Sequence, residues 1–116
     1  MTNVLSIQRF KLSRIAQLND DFRKTFRGGK VVFTNLVSSL APDEILMVVN
    51  KVRNFSEFTE DNDPYGEHDF GAFEHNGTRF FFKIDYYDKT MAFGSEDPAN
   101  PEKTTRVLTV MIAEEY

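Results

Sequence analysis

The sequence predicts an α+β domain, a small antiparallel sheet covered by helices in the order α-β-α-β-β-α. Three observations carry that expectation. Two stretches place apolar residues at helical spacing. A run of alternating residues folds back at Asn76-Gly77, the favoured pair for a two-residue type I′ turn, where both positions need positive φ. The 12 Phe among 116 residues supply area for one core, because aromatic side chains bury the most surface per residue. Residues 1–14 read as a helical N-terminal extension, and 15–116 as a single domain.

The elements follow in chain order. Ile7 to Phe26 reads as an amphipathic helix: Ile15, Leu18, Phe22 and Phe26 form its stripe, with Asn19, Asp20 and Asp21 on other faces. Gly28-Gly29 stops it. Lys30 to Thr34 is rich in β-branched residues and reads as a strand. Pro42 suits a first helical turn, where its missing N–H costs nothing. Asp43 and Glu44 favour the positive end of that second helix, Lys51 and Arg53 the negative end. Ile45, Val48, Val49 and Val52 make its buried stripe.

Asn76-Gly77 sets the hairpin register. Phe73 then faces Phe80, Phe70 faces Lys83, Asp69 faces Ile84 and His68 faces Asp85. Phe73, Phe80, Phe82, Ile84 and Tyr86 share the core face. Glu74, Arg79, Phe81, Lys83, Asp85 and His68 share the other. Asp69 points toward the core, where a carboxylate must be paired or hydrogen-bonded. Ser95 to Pro101 is a turn-rich loop. From Glu102 to Tyr116, Val107, Leu108, Met111 and Ile112 recur at helical spacing and predict a final helix. A strand is the alternative, since Val, Thr and Ile favour it.

Between the second helix and the hairpin lies a dense polar block, Asp61 to Gly71, with four carboxylates and a histidine. The hairpin register makes His68 and Asp85 a cross-strand pair. An Asp beside an imidazole fixes its tautomer and raises its basicity. Lys83 is a near neighbour, so His68, Asp85 and Lys83 are the candidate catalytic residues. The candidate binding residues are Asp63, Tyr65, Glu67, His68, Lys83, Asp85, Tyr87 and Arg106. The alternative is a charge-paired network that pins the loop to the sheet.

Other chemistries are poorly matched. With no Cys, thiolate catalysis, disulfides and Cys-ligated metals are excluded. Asp61, Asp63, Glu67, His68, Asp69 and His75 offer metal donors, but their spacing fits neither a calcium loop nor a zinc motif. No metal and no cofactor is assigned. Gly28-Gly29-Lys30 lacks the P-loop spacing, and Ser95 lies in no nucleophile elbow. No apolar run approaches a membrane span and no secretory signal is evident, so a cytoplasmic protein is expected.

The charge is asymmetric. Residues 1–58 hold 9 Lys/Arg and 5 Asp/Glu (+4), while 59–116 hold 5 and 13 (−8). Arg9, Lys11, Arg14, Arg23, Lys24, Arg27 and Lys30 make the first third basic. The sequence pI near 5.1 argues against a nucleic-acid footprint.

The strings Leu18-Asn19-Asp20-Asp21-Phe22-Arg23, Asn62 to Gly71, Lys83-Ile84-Asp85-Tyr86-Tyr87-Asp88 and Thr105-Arg106-Val107-Leu108-Thr109 resemble a bacterial family, domain of unknown function 3768. The resemblance runs from about Ile15 to Tyr116. Phe82 stands where that family usually has Trp. The family is typical of alphaproteobacteria and of their plasmids, phages and integrated elements, and it brings no activity. It implies a small accessory protein that modulates another macromolecule, a host-defence component included. A short single domain with an exposed polar-aromatic block and no recognised catalytic motif makes a non-enzymatic protein that binds a protein partner, as an inhibitor or regulator, the leading expectation. A small enzyme or ligand-binding domain built on His68 and Asp85 is the alternative. Nucleic-acid binding through the basic first helix is a second.

Overall fold

A computed structural model describes residues 4–116. The first three residues of the 1–14 extension lie outside it. The elements are helix α1 (Val4–Thr25), strand β1 (Gly29–Phe33), the one-turn helix α2 (Asn35–Ser38), helix α3 (Pro42–Arg53), strands β2 (Phe70–His75), β3 (Thr78–Tyr87) and β4 (Thr105–Ile112), and a 3₁₀ turn (Ala113–Glu115). Among the described residues no helix is long and apolar enough to cross a membrane.

The strands form one sheet in the order β1-β4-β3-β2. The predicted hairpin register is observed, from His75 opposite Thr78 through Phe70 opposite Lys83. Asn76 and Gly77 both have positive φ, at 50° and 77°. Gly71 sits opposite Phe82, and a side chain there would strike the Phe82 and Phe55 rings. The register therefore depends on a missing Cβ as well as on the turn.

Two expectations are corrected. The predicted C-terminal helix is the central strand β4. Val107, Leu108, Met111 and Ile112 satisfy a helical period, yet Arg106, Leu108, Val110 and Ile112 also alternate. With Thr105, Val107 and Thr109 between them, the β-branched content favours the strand. The sheet is also mixed, because β1 runs parallel to β4 while the other pairs are antiparallel.

Apart from Met111, buried on the other face, the buried apolar strand residues come from one face of the sheet. Phe80, Phe82, Ile84, Leu108 and Val110 pack there with Phe22 of α1, Val37 of α2 and Val48 and Val52 of α3. The opposite face carries Phe70, Phe81, Lys83, Asp85, Tyr87 and Val107, and the core residues of α1, α2 and α3 pack on the other side of the sheet. Tyr116 lies edge-on to Phe70 and Phe81 at one end of that face.

Candidate functional site

The polar block is organised by Asp63. Its buried carboxylate accepts the Glu67 N–H at 3.0 Å and the His68 N–H at 3.2 Å. These bonds hold His68 in the left-handed region, φ 58°, a conformation costing a non-glycine residue about 1–2 kcal/mol. The hairpin pairing continues as far as Asp69, whose carbonyl accepts the Ile84 N–H at 2.8 Å. One residue earlier the left-handed turn takes the chain out of the sheet.

That turn breaks the expected dyad. The His68 Nδ1 meets the Asp20 carboxylate of α1 at 3.0 Å, and its ring stacks on Phe58 at 4.1 Å. Asp85 instead pairs with Lys83 at 2.9 Å on the open face. Of the predicted residues, Lys83, Asp85 and Tyr87 stay together there. Tyr65 stands exposed at the tip of its loop. Glu67 and His68 lie beside α1.

Arg106 and Asp63 are internal. Arg106 is 4 % exposed and donates from Nε to Asn19 Oδ1 at 2.7 Å and from a terminal nitrogen to the Pro98 carbonyl. Asn19, fully buried, donates its amide hydrogens to the Glu67 carbonyl at 2.9 Å and the Tyr86 hydroxyl at 2.8 Å. One asparagine thus joins α1, the loop, β3 and β4. Arg23, 1 % exposed, bonds Asp20 at 2.9 Å and the Phe55 carbonyl at 3.1 Å, with its guanidinium over the Phe58 and Phe82 rings.

Burial shapes the electrostatics. It raises the pKa of the Glu67 carboxyl, and neighbouring Asp69 and Asp63 push it further. Burial likewise raises Asp69 and the Tyr86 hydroxyl, and lowers Arg106. Asp69 is half-buried, as the register requires, and it shares a hydrogen bond with Glu67. Lys83 is raised by its hydrogen bond to Asp85.

The remaining donors do not converge on an ion. His75 is bonded to Glu44 of α3 at the far end of the hairpin. Among the described residues no group of three metal-ligating side chains forms. The basic residues of the first third are divided too: Arg9, Lys11 and Arg14 are exposed, whereas Arg23 faces the core.

The sequence reading missed Asn19, Asp20, Arg23 and Phe58 as parts of this assembly. Asn19 and Asp20 had been set on the polar faces of the helix. The observed buried set of α1 is Ile15, Ala16, Asn19, Phe22 and Arg23, which is helical spacing with two polar members. Their presence in the Leu18–Arg23 string was the available signal.

No curated protein and no solved structure matches the chain significantly. A family model described as Protein of unknown function (DUF3768) does match. Its range takes in the polar loop and strands β2 to β4, and it starts beyond α1, so Asn19, Asp20 and Arg23 fall outside it. With residues 33–115 matched, most of its length, the chain belongs to that family.

Proposed function

We propose that this is a cytoplasmic accessory protein without catalytic activity, which binds and modulates a protein partner through the open face of its sheet. The observation that carries this reading is the division of the polar residues. Asp63, Arg106 and Asn19 spend their hydrogen bonds inside the fold. Phe70, Phe81, Lys83, Asp85, Tyr87 and Val107 lie half-buried on the sheet face opposite the helix-packed core.

That face suits a protein better than a polyanion. Lys83 and Asp85 neutralise one another at its centre. Arg79 and Glu74 oppose each other across β2 and β3. Aromatic and aliphatic groups between mixed charges are the usual make-up of a protein interface. A shallow groove bounded by Thr34, Lys83, Thr109, Met111, Glu115 and Tyr116 deepens one end of it.

The test is affinity capture with the tagged full chain from producing cells, comparing variants. A partner retained by Tyr65→Ala and His68→Ala but lost from Lys83→Glu/Tyr87→Ala supports the open face. Equal capture by all variants overturns it.

A further inference from the structure

A cleft of about 270 Å³ opens on the helix-covered side of the sheet, lined by Asp20, Arg23, Lys24, Arg53, Phe55 and His68, with Asn54, Ser56 and Phe58 completing it. It is a different surface from the open sheet face. Three cations meet there: Arg23 and Lys24 from the last turn of α1, and Arg53 from the last turn of α3.

Simple charge balance is informative. Asp20 cancels one cation. Each helix C-terminus contributes roughly half a negative charge, so two ends cancel about one more. About one positive charge remains uncompensated, in a chain whose formal net charge is −4. Basic residues placed merely to neutralise two helix ends would leave no such excess.

A second observation concerns hydrogen bonding. The buried side-chain donors without a partner among the described residues are the Nε atoms of Arg23 and Arg53. Both arginines line this cleft. Buried polar groups in folded proteins are nearly always satisfied, and an exception calls for an acceptor from water or an ion. The Arg53 guanidinium also lies 4.3 Å over the Phe26 ring, which holds its plane while leaving its edges free of a carboxylate. The Arg23 guanidinium is held by Asp20 and the Phe55 carbonyl, two other members of the cleft.

We infer that this cleft binds a small tetrahedral oxyanion, a phosphate or phosphomonoester, through Lys24 and Arg53 with Arg23 behind them. Donors arriving from two helices around an open space match an acceptor with oxygens in several directions. A carboxylate presents two oxygens in one plane and so meets fewer of these donors at once. The Ser56 hydroxyl, exposed at the rim, can supply a further donor.

The experiment is an NMR titration of the isotope-labelled full chain at constant ionic strength. Inorganic phosphate, glycerol phosphate and acetate are the probes, and the amides of Lys24, Asn54 and Ser56 are the readout. Saturable shifts at these amides with phosphate or glycerol phosphate, and at least tenfold weaker binding by acetate, are expected. Charge-assisted hydrogen bonds are strong enough that Arg53→Gln or Lys24→Gln should each weaken the complex about tenfold. Lys24 is exposed and Arg53 half-buried at their helix ends, and unchanged amide shifts away from the cleft show that each variant keeps the fold. Tighter binding of glycerol phosphate than of phosphate identifies a phosphorylated metabolite. Equal binding identifies the free anion. Shifts that do not saturate, or binding unchanged in the Lys24→Gln/Arg53→Gln double variant, overturn the assignment. Loss of this site would leave partner capture by the open face untouched, so the two ideas fail separately.

Discussion

Asn19→Leu is the sharpest perturbation of the internal network. Leu keeps the branched outline of Asn with two methyl groups in place of the amide oxygen and nitrogen, so no cavity forms; its greater bulk adds some crowding to the polar cost. The substitution leaves the Arg106 Nε, the Glu67 carbonyl and the Tyr86 hydroxyl without their partner. A stranded buried donor or acceptor costs about 1–3 kcal/mol, and a charged one falls at the upper end. The Tyr86 hydroxyl can turn toward water, so the expected loss is about 3–5 kcal/mol. That is a large part of the roughly 5–15 kcal/mol stability of a small domain. Urea unfolding followed by far-UV circular dichroism at pH 7 measures it, with an unchanged m-value confirming one transition. Arg106→Leu and the double variant complete a cycle. Because each single change strands the other residue, the double variant should lose less than the sum by about 1–3 kcal/mol. A loss below about 1 kcal/mol for Asn19→Leu, or strict additivity, would refute the view that Asn19 and Arg106 act as one unit.

Three further outcomes are expected. Glu67→Gln should stabilise the protein at neutral pH, because burial beside Asp69 and Asp63 raises the Glu67 pKa and makes its ionised form unfavourable in the fold. The wild type's stability from this group is present below the unfolded value near 4.5 and lost as pH rises through the raised folded value. The gain in Tm should therefore vanish in acid, and a gain that persists there would contradict the cause. Asp63→Ala should cost about 1–3 kcal/mol and speed hydrogen exchange at the His68 amide while leaving that of Ile84 protected. Gly71→Ala drives a methyl group into the Phe82 and Phe55 rings and should cost about 1–3 kcal/mol; a neutral thermal melt would show that β2 can shift to make room.

Much of the fold was legible because local chemistry and long-range packing agree there. Asn76-Gly77 demands a tight turn, the turn sets the register, and the register sorts Phe80, Phe82 and Ile84 onto one face. Pro42 with Asp43 and Glu44 marks a helix start for reasons that need no distant partner. Thr105 to Ile112 was ambiguous because its apolar residues satisfy both periods, and only a place between β1 and β3 resolves that. His68 was misplaced for a different reason. A strand extrapolated backward from the hairpin carries no warning of a side chain, Asp63, that captures two amides and turns the chain aside.

The buried polar groups of α1 have a cause that lies on the sheet. Along the core face of β3 the row runs Phe80, Phe82, Ile84, Tyr86, and along β4 it runs Ile112, Val110, Leu108, Arg106. Both rows are apolar at one end and polar at the other, and Tyr86 and Arg106 are direct cross-strand partners. The helix crossing that end cannot present an all-apolar stripe. A buried guanidinium needs an acceptor held at hydrogen-bonding distance, and Asn19, one turn before Phe22 and Arg23, provides it while keeping the aromatic contacts of that stripe intact. The tyrosine had been placed on the core face from alternation alone. Extending the same alternation to Arg106, had that segment been taken as a strand, would have required a polar residue on the inner face of the first helix. The misread strand and the missed asparagine are therefore one error: without β4 in the sheet, nothing in the sequence explained why the inner face of α1 should be polar.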